Sequence, residues 1–358
     1  MVHSISDRDD GVMALSPTDV RDAFPDARGY VAACTAGIPP LASRDAVRAD
    51  LDAWPDPIRY AASAERCRAS FARLVGVDPA AVALGAQTSA MVSLLAASLP
   101  DGAVVLCPEG EFSSLVLPFV HAGRGITVRT APLDALADAV DAATTLVAFS
   151  IVQSATGAVA DADAIVAAAR RHGARTLCDA TQAVGWMPVA AGAFDALVCH
   201  AYKWLCAPRG VAFLALREDF GATIGPRQAG WYAGADPWAS CYGTDATLAA
   251  FARRFDVSPA WQAFTGAEPA LALFAGADPR ALSDEVTGLA AALRERLDLP
   301  APARATPIVT WRDESGADIG RLRAAGIVAS SRAGNARVAL HVFNDERDVE
   351  DIARALGR

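Results

Sequence analysis

Lysine is almost absent from this chain of 358 residues. Lys and Arg together number 32, and a single lysine, Lys203, stands against 31 arginines. The seven cysteines form no C-x-x-C pair and none lies at metal-ligand spacing to a histidine, so no zinc site and no redox pair is expected. Thiols scattered in this way read as reduced core fillers. No G-x-G-x-x-G follows the first expected strand, which argues against a dinucleotide-dependent dehydrogenase. Surplus positive charge is missing too: the net charge is −9, and nucleic acid is not an expected partner. The opening residues MVHSISDRDDG carry neither a basic nor an apolar signal region, so the expected compartment is the cytoplasm. The longest uncharged stretch, 80–99, contains Gly85, Gln87, Thr88 and three serines, which suits a buried strand, loop and helix better than a membrane span.

What is present is a globular composition, 53% hydrophobic and 20% charged, which excludes a disordered chain. The length exceeds what one typical core fills, so a large domain plus a smaller one is expected. Residues 1–20 read as a polar N-terminal arm. Residues 45–74 have helical spacing interrupted at Pro55 and Pro57, which predicts two helices. Apolar runs at 82–84, 104–107, 126–128, 145–150, 176–178, 196–199 and 211–216 then alternate with helical patterns such as 88–99, 133–140 and 161–171. That alternation predicts a mostly parallel sheet covered on both faces. Beyond about 245 the order changes to a helix at 279–297, runs at 308–311, 327–330 and 337–342, and helices near 318–325 and 346–356. The expected division is 21–250 for a large three-layer α/β domain and 251–358 for a smaller α+β domain.

In such sheets ligands bind beyond the carboxyl ends of the strands. The first candidate there is Gly85-Ala-Gln-Thr-Ser-Ala90, a glycine turn with polar side chains at a helix start, which serves either as a phosphate cradle or as an ordinary N-cap by Thr88. The second is Leu177-Cys-Asp-Ala-Thr-Gln182. A carboxylate after an apolar strand needs a partner, so Asp179 either caps a loop or holds a protonated pyridine nitrogen, with Gln182 donating to a phenolic oxygen. The third is Cys199-His-Ala-Tyr-Lys-Trp-Leu205, followed by Ala207-Pro-Arg-Gly210. Arginine replaces lysine as a charge but stays protonated and forms no Schiff base. A lysine kept once, between Tyr202 and Trp204, therefore points to an amine that attacks a carbonyl. The fourth runs from Ser331 to Asn344, where Arg337 is either an exposed edge residue or a bidentate clamp for a carboxylate.

Taken together, GAQTSA, DATQ, HAYKWL with APRG, and RVALHVFN resemble the class V aminotransferase family of fold-type I pyridoxal-phosphate enzymes, from about residue 33 to the C-terminus. Cysteine desulfurases, isopenicillin-N-epimerase-like proteins and kynureninases belong to that group. The resemblance implies pyridoxal 5'-phosphate as cofactor and a homodimer with sites at the subunit interface. It implies that Lys203 carries the cofactor, Asp179 pairs with the ring nitrogen and Gln182 contacts the ring hydroxyl. Gln87, Thr88, His200 and Tyr202 would hold the phosphate, and Phe112 falls where the family stacks an aromatic ring, often a histidine. In Arg254-Phe-Asp-Val-Ser-Pro259, Ser258 would reach the phosphate of the neighbouring subunit, and Arg337 would grip the substrate carboxylate. One departure matters: the stretch 328–336 lacks the reactive cysteine of desulfurases. The expected activity is a lyase that eliminates sulfur from Cβ of an amino acid, with an aminotransferase or epimerase as the alternative. A non-catalytic binding module is disfavoured, because its lysine would be free to drift to arginine.

Overall fold

The computed structural model describes residues 13–358, so residues 1–12 of the expected N-terminal arm lie outside the described residues. Seven strands form the main sheet: β1 Val82–Gly85, β2 Val104–Pro108, β3 Thr127–Ala131, β4 Leu146–Ser150, β5 Arg175–Asp179, β6 Ala196–His200 and β7 Ala212–Leu216. Their order is β1-β7-β6-β5-β4-β2-β3. The pairs from β6 through to β3 are parallel, and β7 runs antiparallel to both neighbours.

Strand side chains alternate between two cores, one on each face. Leu84, Leu106, Val147, Phe149, Cys178, Leu197 and Phe213 enter one core with Phe71, Ile165 and Phe264. Their strand neighbours Ala83, Val105, Ala148, Leu177, Val198 and Leu214 enter the other with Val92, Leu95 and Phe119. The helices Pro57–Val75, Ala162–His172 and Trp261–Gly276 thus cover one face, and Thr88–Ala96 and Ser113–Val120 the other. Pro55 and Pro57 do separate two helices, Leu41–Asp52 and Pro57–Val75, with Asp56 capping the second. The smaller sheet has order β8-β10-β9, with β8 Ile308–Arg312, β9 Ser330–Arg332 and β10 Asn335–Ala339. The helices Pro279–Arg296 and Glu346–Ala355 pack on it through Leu293 and Ile352.

Three local expectations change. The helix expected at 133–140 is one 3₁₀ turn, Leu133–Ala135: Arg129 Nη2 takes the Ala139 carbonyl, and Asp141 ties up Thr144. The last two strands shift to 330–332 and 335–339, because Ala333 (φ 48°) and Gly334 (φ 76°) make a two-residue hairpin turn with both φ positive. The helix Trp261–Gly276, which a boundary at 250 assigns to the smaller domain, packs against Leu41–Asp52 and Pro57–Val75 of the larger one. Near the N-terminus, Val31 exchanges backbone hydrogen bonds with Val328 and Ala339 and is buried in the smaller core.

A buried ion pair fastens the edge of the large sheet. Arg68 Nη2 lies 2.6 Å from Asp256 Oδ2, both side chains being almost fully buried. Asp256 Oδ1 also accepts from Leu84 N at 2.8 Å, while Arg68 donates to Val82 O, so the pair clamps residues 256–257 against β1. Removing one partner strands the other charge in the interior. Asp256→Ala is expected to cost about 3–5 kcal/mol of unfolding free energy in urea titrations; a cost under about 1 kcal/mol would contradict the clamp.

Candidate active site

The carboxyl ends of β4, β5 and β6 bring Ser150, Asp179 and His200 side by side. Gly85 and His200 both lie opposite Ala212 of β7, so the turn after β1 reaches the same edge two strands away. A cavity opens there with about 540 Å³ of empty space, part of it open to solvent. It brings together Gln87, Thr88, Phe112, Asp179, Gln182, His200, Tyr202 and Lys203. Arg337 adjoins the cavity through Ser154, which lines it. Ser258 is exposed and does not line the cavity of its own chain.

Lys203 follows β6 by three residues and is 4% exposed. Its turn is held by backbone contacts: Gly37 N donates to Tyr202 O, and Cys206 N to Lys203 O. A Cβ on Gly37 would collide with Lys203 O, and one on Gly185 with Trp204 O, so both glycines are required by close approach. Burial pushes the Lys203 amine down to about 8, although Asp179 favours its charged form. At neutral pH a minor fraction, roughly a tenth, is therefore an unprotonated nucleophile and base, far more than for an ordinary lysine. Its Nζ lies 5.1 Å from the Phe112 ring centre and 5.7 Å from that of Tyr202.

Asp179 is buried, and burial raises its carboxyl despite the N–H of Thr181, which donates to Oδ1 at 2.8 Å. A buried carboxylate in this state gains from a cationic N–H partner. Gln182 is oriented by Trp204 Nε1, which donates to its Oε1 at 2.8 Å; its Nε2 donates to Cys34 O and to Ser154 Oγ. Phe112 is held by its own N–H to Glu111 Oε1, and Glu111 also accepts from Ser150 N and Oγ. Glu111 carries no local sequence signal, because its partner Ser150 is 39 residues away.

At the other end the helix Thr88–Ala96 opens with Gln87 as N-cap, and no side chain caps it. Thr88 is thus not an N-cap, and the helix presents free N–H groups and a positive dipole end. His200 Nε2 is buried with no hydrogen-bond partner among the described residues. Burial, with Arg209 and Lys203 nearby, pushes this imidazole down to about 4, so it is neutral at pH 7. Arg337 is fully buried rather than an exposed edge residue. Its guanidinium donates to Ser330 Oγ, to Ser154 O and Oγ, and to Thr35 Oγ1, and it enters no ion pair among the described residues. Burial lowers its pKa, the signature of a cation that lacks a counter-anion.

Fold and site define a pyridoxal-phosphate enzyme of fold type I, built around a buried strand-end lysine. Residues 58–307 match the model of the family described as aminotransferase class-V, and the chain belongs to that family. It is 31% identical over 220 residues to isopenicillin N epimerase from Amycolatopsis lactamdurans, covering 54% of this chain and 54% of that protein. That likeness spans about half of the relative's length. Its fold matches the cysteine desulfurase CsdA from Escherichia coli at TM-score 0.83 and 17% identity, over 97% of this chain and 98% of that one. It also matches the cystine C–S lyase C-DES, solved with its reaction product cysteine persulfide, at TM-score 0.81 and 22% identity, over 93% and 98%. No helix among the described residues is long and apolar enough to cross a membrane. Among the same residues no group of three or more His, Cys, Asp or Glu side chains is placed to hold a metal ion.

A second buried imidazole packs beneath the lysine turn. His341 stacks on Trp204 (5.3 Å, 17°) and on Phe343 (4.4 Å, 15°), and burial pushes it down to about 4. In the unfolded chain it titrates near 6.5. As pH falls from 6.5 to 4 the unfolded state takes up the proton first, so the stability this group contributes is lost over that window. Urea midpoints of the wild type should fall more steeply between pH 6.5 and 4 than those of His341→Gln. Equal slopes would contradict a neutral, buried His341.

Proposed function

We propose that this enzyme is a carbon–sulfur lyase that removes the Cα proton of an amino acid and expels sulfur from Cβ. The observation that carries the Cα-proton step is the pairing of Lys203 with Phe112 in one cavity, and the lack of a cysteine in 328–336 favours elimination over a desulfurase-type transfer. Phe112 supplies a ring and no proton, so Lys203 is the amine available to take and return the Cα proton. The fit of the cofactor rests on three unmet needs: the buried Asp179 carboxyl, the partnerless His200 Nε2 and the uncapped helix at Thr88.

In this reading Lys203 carries the cofactor, Asp179 holds its ring nitrogen protonated, Gln182 meets the ring hydroxyl and Phe112 covers the ring. Gln87, Thr88, His200 and Tyr202 hold its phosphate. When bound, pyridoxal phosphate supplies an electron sink for bonds at the substrate's Cα. Arg337 grips the α-carboxylate and so turns the Cα–H bond toward Lys203 Nζ. With Nζ freed as the substrate's amine takes its place on the cofactor, the proton would move to Nζ and sulfur would leave Cβ with its bonding pair; water would then release a 2-oxo acid and ammonia. No cysteine lies in the stretch 328–336, which speaks against a persulfide carried on that segment; the buried Cys34 stands near Arg337 and Lys203 on a different segment.

Epimerisation at Cα is the second reading, favoured by the partial likeness to isopenicillin N epimerase. Transamination uses the same first proton transfer. To the same proposal belong a cytoplasmic homodimer and the service of exposed Ser258 to a second copy's phosphate. The smaller domain then begins after Gly276, with 31–32 contributed to its sheet.

The test incubates the purified protein with L-cysteine, L-cystine and other amino acids, with and without a 2-oxo acid acceptor. A lyase gives pyruvate, ammonia and a sulfur product without acceptor, whereas turnover that requires the acceptor, or Cα inversion alone, would overturn elimination. Arg337→Lys keeps the charge but loses the planar fork, so KM should rise about ten-fold or more. An unchanged preference for amino acids over their decarboxylated amines would rule out the clamp.

A further inference from the structure

The phosphate end of the cavity is short of positive charge. A phosphate monoester carries close to two negative charges at pH 7. The residues assigned to it, Gln87, Thr88, His200 and Tyr202, are all neutral, and the helix start at Thr88 offers roughly half a charge. Arg337 is turned toward Ser154 and Thr35, and Lys203 toward Phe112 and Asp179.

One further cation lines the same cavity. Arg209 belongs to the connection between β6 and β7, closed by Ala201 N to Val211 O and by Ala207 N to Ala201 O. Those bonds bring the connection back beside His200. Arg209 is an exposed residue whose guanidinium lies over the Tyr202 ring, its carbon 4.6 Å from the centroid, a contact that favours its place at the cavity wall. Arg209 enters none of the ion pairs among the described residues, in a chain where many arginines have a carboxylate partner.

Resting on the cofactor reading above, we propose that Arg209 is a phosphate-binding residue that supplies the full countercharge to pyridoxal 5'-phosphate, with Tyr202 as its platform. Arg209 then sets the preference for the phosphorylated cofactor over pyridoxal. The remaining neutral donors give the phosphate its orientation, and the arginine gives it affinity.

The test uses the full chain stripped of cofactor. Wild type, Arg209→Gln and Arg209→Lys are titrated with pyridoxal 5'-phosphate and with pyridoxal, following the cofactor's visible absorbance and tryptophan fluorescence. Inorganic phosphate serves as the competitor. Arg209→Gln should weaken pyridoxal 5'-phosphate about 10- to 100-fold, the range of a charge-assisted bond, and pyridoxal less than about 3-fold. Inorganic phosphate should compete with pyridoxal phosphate less well in that variant, and Arg209→Lys should recover part of the loss. Equal weakening of both compounds, or none, would overturn the assignment while leaving the cofactor reading intact. Wild-type protein that takes up neither compound would overturn both.

Discussion

A primary amine buried at the edge of a parallel sheet sets the terms for everything around it. Lys203 is almost wholly enclosed, and burial disfavours its charge. Among the described residues no salt bridge reaches the amine: Asp179 stands near enough to favour the cation, and the rings of Phe112 and Tyr202 lie close by. The turn is fixed from below by Trp204, which is wedged between Trp186 and His341 and donates to Gln182. Two glycines let the backbone of neighbouring segments close over it. The chain thus spends rigid packing on the placement of one nitrogen.

Groups that lack partners surround that nitrogen, and each lacks a different kind of partner. Asp179 is a buried acid with one backbone donor and no ion pair among the described residues, Arg337 a buried cation with no anion there, and His200 an imidazole whose Nε2 has no hydrogen-bond partner there. In a folded core such groups are costly. Their convergence on one cavity, at the junction of the two sheets, is what a bound cofactor and a carboxylate-bearing substrate would relieve. Arg337 comes from the smaller sheet and Ser154 from the turn after β4 of the larger one, so the guanidinium ties the two sheets together; a carboxylate gripped there would couple substrate binding to that seating.

The alternation of apolar runs made the large sheet legible, since each run at 82–84, 104–107 or 196–199 fell within one residue of a strand limit. Fully buried strands announce themselves as continuous apolar segments. The hairpin at 333–334 did not, because Ala-Gly replaces the usual Asn-Gly and the strands on either side are short. The boundary at 250 followed a change in pattern, whereas the helix Trp261–Gly276 joins the larger unit through tertiary packing that periodicity does not record. Lys203 was legible as the one lysine of the chain, and Asp179 as a carboxylate at the end of an apolar strand. Arg209 stood in a quoted tetrapeptide without a role, because one arginine among 31 gives no compositional signal. Glu111 and Ser154 were missed for a similar reason: their importance lies in partners distant in sequence, Ser150 and Arg337.

The central claim is that Lys203 carries pyridoxal phosphate. Borohydride reduction of the purified chain with the cofactor, followed by peptide mass mapping, tests it directly, because the sequence offers one side-chain amine. The account predicts a single modified peptide containing residue 203, and none in Lys203→Arg. A label confined to the α-amino group of the chain, or no label with the visible chromophore lost, would contradict it.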